Sequence, residues 1–217
     1  NSFLTVSVDS PAGTPGVPGT LTNFDVVTND DASIGAVGVG TVIGGQFVPA
    51  NLAGDSDVVV DGYMDYFTVG NFSGTGSVKI GENLAYFSAR NFTGGTLSAK
   101  YTYVVVVDGD YGAASPFTRG EVKMDILYIT GGLLITGADR GAINIDRILP
   151  SMTVLGAMDG ATLRAGTAIG ALSVGSMART WISSRDFFGS LAVTGDMFDS
   201  SVMIGADLGS DTEFGGT

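Results

Sequence analysis

Hydrophobic and polar positions along this chain repeat one short unit: apolar, x, x, apolar, x, apolar. It reads Ile169-Gly170-Ala171-Leu172-Ser173-Val174, recurs as Phe188-Gly189-Ser190-Leu191-Ala192-Val193, and stands near the start as Ile34-Gly35-Ala36-Val37-Gly38-Val39. The same pattern opens at Met64, Leu84, Val104, Met124 and Leu149, giving successive spacings of 30, 20, 20, 20, 25, 20 and 19 residues. A period near 20 held over most of a chain is the mark of a solenoid, in which one turn cannot bury its apolar face alone and neighbouring turns must stack.

Each repeat carries further apolar positions. Five or six residues past its fourth position come Val42, Phe72, Phe92, Met158, Met177 and Met197; at ten or eleven come Phe47, Val78, Leu97, Phe117, Leu163, Ile182 and Val202. Within these groups the spacing is often two, as in Phe67-x-Val69, Val78-x-Ile80 and Val202-x-Ile204, which predicts short strands with one face inward. Gly, Asn, Asp and Ser fill the gaps and suit corners. Two or three short strands per 20-residue turn predict an all-β fold, a right-handed-type parallel β-helix. An antiparallel sandwich would also show regular short strands, but gives no reason for one unit to recur in phase. Like residues should then stack: Phe67 over Phe87, Phe72 over Phe92, Met64 near Leu84. At ~4.8 Å per turn the rod core would be on the order of 40 Å long.

The first 20 residues differ. Phe3-Leu4-Thr5-Val6-Ser7-Val8 reads as a strand, with Phe3, Leu4, Val6 and Val8 its assembly residues. Pro11, Gly13, Pro15, Gly16, Pro18 and Gly19 then form a semi-extended tether. This divides the chain into an N-terminal strand and linker, 1–20, and one solenoid domain, 21–217. The tethered strand either folds back on its own solenoid or pairs with a neighbouring molecule by strand addition. Insertions are expected at 49–57 and near 141–147, and the coil opening at Val104 carries a loop around Pro116. The coils should run from Ile34 to about Leu208, with Asp211 and Glu213 closing the edge.

Composition narrows the function classes. Ten Lys and Arg against 22 Asp and Glu give a net charge of -12, so nucleic acid is not expected as a partner, since phosphate binding needs a basic face. The chain has no Cys and no His, which removes the usual ligands of zinc, copper, haem and iron–sulfur centres and the Cys-His and Ser-His-Asp nucleophilic sites. No apolar run approaches the ~20 residues of a spanning helix. A chain that opens on Asn1 rather than Met is expected to be a processed product or an excised piece.

Candidate chemistry is sparse. Asp55, Asp57 and Asp61, and separately Asp108 and Asp110, place carboxylates beside glycine turns and are the candidate calcium ligands; no other cofactor is expected. Asn71-Phe72-Ser73 and Asn91-Phe92-Thr93 are glycosylation sequons 20 residues apart, so Asn71 and Asn91 occupy one place in adjacent coils, as acceptors or as a stacked corner ladder. A polysaccharide lyase or hydrolase would need clustered carboxylates on one outward strip. The nearest pairs, Asp139-Arg140, Asp146-Arg147 and Arg185-Asp186, are out of register and read as exposed ion pairs. An ice-binding face would need a threonine array, whereas the outward column reads Gly38, Thr68, Ser88, Asp108, Tyr128, Thr153, Ser173, Ala192.

The units at 169–174 and Phe-Gly-Ser-Leu-Ala-Val-Thr-Gly-Asp-Met at 188–197 resemble the glycine-rich coils of large secreted bacterial β-solenoid proteins, including adhesin-like surface proteins. The resemblance covers roughly residues 34 to 208, is specific for architecture, and brings no functional residues with it. It implies export and a role in surface attachment or extracellular structure. The expectation is a non-enzymatic extracellular β-solenoid subunit that assembles with copies of itself into a filament or layer, linked by the strand at 3–8. The alternatives are a monomeric adhesin whose loops 49–57 and 109–120 meet a glycan, and a polysaccharide-active enzyme.

Overall fold

A computed structural model describes residues 3–7, 19–28, 32–43, 46–112 and 123–205. Among them there is no helix, and the chain winds as a parallel β-solenoid of three-sided turns. The first turn is β1 (Phe3–Ser7), β2 (Thr20–Thr22) and β3 (Val26–Val27). The second is β4 (Ile34–Ile43), β5 (Gln46–Pro49), β6 (Asn51–Ala53) and β7 (Asp57–Val60). Longer strands then bend through corners and serve two sides or, in β9, all three: β8 (Met64–Phe72), β9 (Ser77–Phe92), β10 (Thr96–Val107), with β11 (Tyr111–Gly112) completing that turn. The remainder runs β12 (Lys123–Ile135), β13 (Asp139–Arg140), β14 (Ala142–Ile145), β15 (Ile148–Asp159), β16 (Thr162–Ala165), β17 (Ala168–Ala178), β18 (Trp181–Ser184), β19 (Phe187–Val193), β20 (Met197–Phe198) and β21 (Ser201–Ile204). Every strand pairing among the described residues is parallel except β4 with β5, which excludes the sandwich.

Parallel register at a fixed turn length puts like positions on top of one another, and the core is a set of columns. On the first side Leu4, Val37, Phe67, Phe87, Val105, Leu133, Met152, Leu172 and Leu191 are successive partners. On the second, Leu21, Leu52, Phe72, Phe92, Tyr111, Asp139, Met158, Met177 and Met197 follow one another. The third stacks Val26, Val58, Val78, Leu97, Met124, Ile143, Leu163, Ile182 and Val202. Phe67 stacks on Phe87 with centroids 5.6 Å apart, and Met64 pairs with Leu84, as the repeat predicts. Each buried ring contributes roughly 2–3 kcal/mol of transfer free energy. Tight corners seat the turns: a Cβ at Gly76 would run into the carbonyl oxygen of Ser56 one turn below.

Several expectations are corrected. The phase read at Val104 and Met124 is wrong, because Val105 is the partner of Phe87, and Met124 belongs to the third side, on Leu97. Register shifts between Ala99 and Tyr101 and between Thr102 and Val104 cause this. Such bulges reset which alternate residues face inward, and a run of four valines hides the reset. The outward column therefore carries Val106 and Leu134 where Asp108 and Tyr128 were expected.

Insertions move as well. Residues 40–43 pair antiparallel with 46–49, with Val42 opposite Phe47 in register, and Leu52 and Val58 take the expected places in the columns. Residues 49–57 are ordinary coil. Nothing is inserted at 141–147, where β14 pairs in step with β12 and β16; the extra length falls between Gly112 and Lys123.

The first coil begins before Ile34. Phe3, Leu4 and Val6 lie on the chain's own β4, opposite Ala36, Val37 and Val39, the fold-back arrangement. With β2 and β3 the strand completes a three-sided turn. Val8, the tether over 8–18, Phe117, the loop at 113–120, Leu208, Asp211 and Glu213 lie outside the described residues.

Candidate functional site

Three features stand apart from the repeat: a polar ladder at one corner, a tyrosine edge at another, and a carboxyl group inside the core. The ladder arises because Asn recurs where the first side turns into the second. Asn71 N–H donates to Asn51 Oδ1 at 2.8 Å, Asn91 Nδ2 donates to Asn71 Oδ1 at 2.7 Å, and Asp110 N–H donates to Asn91 Oδ1 at 2.8 Å. Asn51 Nδ2 continues it to Thr20, and Asp110 Oδ1 accepts from Ala138 N–H at 2.8 Å. The two sequon asparagines are thus stacked and half-buried, and the side-chain nitrogen of Asn91 is engaged.

Four of the five expected calcium carboxylates are similarly engaged. Asp57 Oδ1 accepts both the backbone N–H and the hydroxyl of Ser77, at 2.8 and 2.6 Å. Asp55 Oδ1 meets the Thr75 hydroxyl at 3.5 Å, Asp108 Oδ1 accepts from Thr136 at 3.2 Å, and Asp110 Oδ2 is 3.8 Å from Arg140. The Asp61 backbone N–H bonds Thr28. Among the described residues no three acidic side chains gather around a point that could hold a metal ion.

Of the seven tyrosines, six occupy the edge where the third side meets the first. Tyr66 pairs with Tyr86, their rings 6.0 Å apart, and Tyr101 stacks on Tyr128 at 5.0 Å with 8° between planes. Lys100 lies over Tyr101, Arg147 over Tyr128, and Lys100 bonds Glu82 at 2.9 Å. Tyr63 and Tyr103 extend the edge, with Tyr103 62% and Tyr66 57% exposed. Tyr101 and Tyr128 lie face to face, whereas Tyr66 and Tyr86 are tilted by 50°. The sequence carried this signal at Tyr101 and Tyr128, hidden by the phase error described above.

The seventh tyrosine, Tyr111, is buried, and its neighbour in the column is Asp139, 0% exposed. This overturns the reading of Asp139-Arg140 as an exposed ion pair: alternation along β13 turns Asp139 inward and Arg140 outward toward Asp110. Asp139 Oδ1 accepts from Gly141 N–H at 3.0 Å, while Oδ2 has no hydrogen-bond partner among the described residues. Burial raises its carboxyl from the ordinary value of 3.8 to about 7, against the smaller opposing effects of the Gly141 N–H and Arg140. Burial likewise pushes the Tyr111 phenol up, reinforced by Asp139 and Asp125. The other pairs are superficial: Arg185 lies 3.9 Å from Asp186, both largely exposed, and Arg147 turns to Tyr128.

No family model matches this chain, and no curated protein or solved structure matches it either.

Proposed function

We propose that this chain is a non-enzymatic structural protein, a β-solenoid subunit that stacks end to end with copies of itself into an extracellular filament or layer. The observation that carries the reading is the state of the last described turn. Met197 is 51% exposed and Ile204 58%, and Leu191, Val193 and Val202 are only partly covered, although in each of these columns the member one turn back is buried. Leu4, Leu21 and Val26 head the columns that end in Leu191, Met197 and Val202. The first turn of a second copy would therefore continue all three columns and their backbone ladders. Such a heterologous contact does not close on itself and yields linear polymers. The extracellular setting rests on the likeness of the coils to those of secreted bacterial surface solenoids.

Electron microscopy of the full chain beside a Leu191→Asp variant tests this. Rods much longer than one chain, lost in the variant, are the expected result. Single short rods in both samples would overturn self-assembly.

The second reading is a glycan-binding module, and the tyrosine edge favours it. Exposed tyrosines beside mixed charges offer both apolar contact and hydroxyl hydrogen bonds to a sugar chain. Affinity electrophoresis in neutral polysaccharide gels, comparing the chain with Tyr66→Ala and Tyr103→Ala, would detect retardation that the variants lose.

A further inference from the structure

We propose that Asp139 is a proton-controlled joint in the rod: with its carboxyl protonated the turns at Tyr111, Asp139 and Met158 stay stacked, and loss of that proton loosens them. The geometry is specific. Every other member of this column among the described residues is Leu, Phe, Tyr or Met, and Asp139 alone places a carboxyl among them. Its Oδ1 has one donor, its Oδ2 none, and a carboxylate so placed lacks the bonds that would compensate for lost water.

The surroundings offer no substitute. From β11, Tyr111 faces it, but the phenol donates to the Ala142 carbonyl at 2.9 Å. Asp110, beside β11, is itself anionic and faces Arg140. On β13, Arg140 points outward to that same Asp110. From β15, Met158 is apolar, and Asp159 is held by Arg179. From β12, Asp125 adds negative charge near Tyr111 and is bonded by Asn144. β14 contributes Ala142, Ile143 and Ile145, with no charge. A packed neutral carboxyl costs far less here than a carboxylate, which has no cation inside the core.

The direction follows from where the proton is held. The folded turn keeps it up to about pH 7, and an opened turn releases it near the ordinary 3.8. Stability from this group is therefore complete below about pH 4, declines roughly tenfold per pH unit to about pH 7, and is level above that. The whole effect is about a thousandfold in the opening equilibrium. The turns at Asp139 are held most firmly in acid.

Hydrogen exchange on the full chain, corrected for intrinsic rates, reads this directly. Opening at amides of Tyr111, Gly141 and Met158 should rise steeply from pH 4 to pH 7 and then flatten, while Ile182 and Ser183 in β18 stay level. In Asp139→Asn, whose amide is neutral at every pH, the slope should vanish. The same slope in the variant, or a flat profile at these amides in the wild type, would overturn the proposal. Should the variant not fold, the wild-type comparison of β13 with β18 decides alone.

Discussion

The ring of Phe92 lies 4.9 Å from that of Phe72, only 12° from parallel, and 5.9 Å from Tyr111 on its other side. One side chain thus joins three successive turns, and the edge of Phe87 meets it from the neighbouring column. Replacing Phe92 by Ala removes contacts to all three neighbours and leaves a cavity that rigid strands cannot close. Urea unfolding should show a loss of about 3–5 kcal/mol. Phe198→Ala, at a ring 66% exposed on the last turn, should stay within about 0.5 kcal/mol.

Gly76 is a test of turn spacing rather than of core volume. A Cβ there meets a backbone carbonyl of the turn beneath, which has no rotamer to yield. Gly76→Ala should cost about 3 kcal/mol or more. Circular dichroism melts would detect it as a lowered midpoint.

The corner ladder predicts an asymmetry between its members. Asn71→Ala leaves the side-chain nitrogen of Asn91 without its acceptor, while the backbone N–H at 71 still donates to Asn51, costing about 1–3 kcal/mol. Asn51→Ala takes the acceptor from the part-buried backbone N–H of Asn71 and also removes the 3.3 Å contact to the Thr20 hydroxyl, so it should cost at least as much. Paired denaturation curves at one pH separate the two.

Assembly should strengthen with salt. The chain has no Lys or Arg before Lys79 and none after Arg185, so Asp25 near one end would meet Asp196 and Asp199 at the other. Screening such like charges favours contact. Sedimentation velocity at low and high ionic strength should show larger species at high salt. Dissociation by salt would mean that attraction between opposite charges holds the polymer instead.

Much of this architecture is legible in the sequence because period and alternation are enforced by the core. Phe67 over Phe87 and Phe72 over Phe92 follow from a spacing of 20 alone. What failed did so where the pattern is degenerate. Val104 to Val107 is apolar at every position, so nothing in it says which valines face inward, and the bulges on either side of Thr102 decide that through backbone geometry. Asp139 was misplaced for a related reason. A charged residue beside an arginine reads as surface, and only the column of Leu52, Phe72, Phe92 and Tyr111 beneath it reveals its inward position. The antiparallel segments 40–43 and 46–49 kept the apolar residues of a coil while leaving the stack, so Val42 and Phe47 counterfeited column members. The tyrosine edge depended on the corrected phase, and the apolar exposure of the last described turn on the strand pairings.

Because each turn is bonded only to the turns before and after it, the protein has a mechanical grain. Pulled apart from its two termini, it would yield one turn at a time, like a coil of rope paid out from its end. Each step would release on the order of 70 Å of contour length for a 20-residue turn. The turn containing residues 113–122 would give a longer step, marking its place in the force trace. A load shared between neighbouring strands across the rod would instead strain many ladders together and meet far higher resistance.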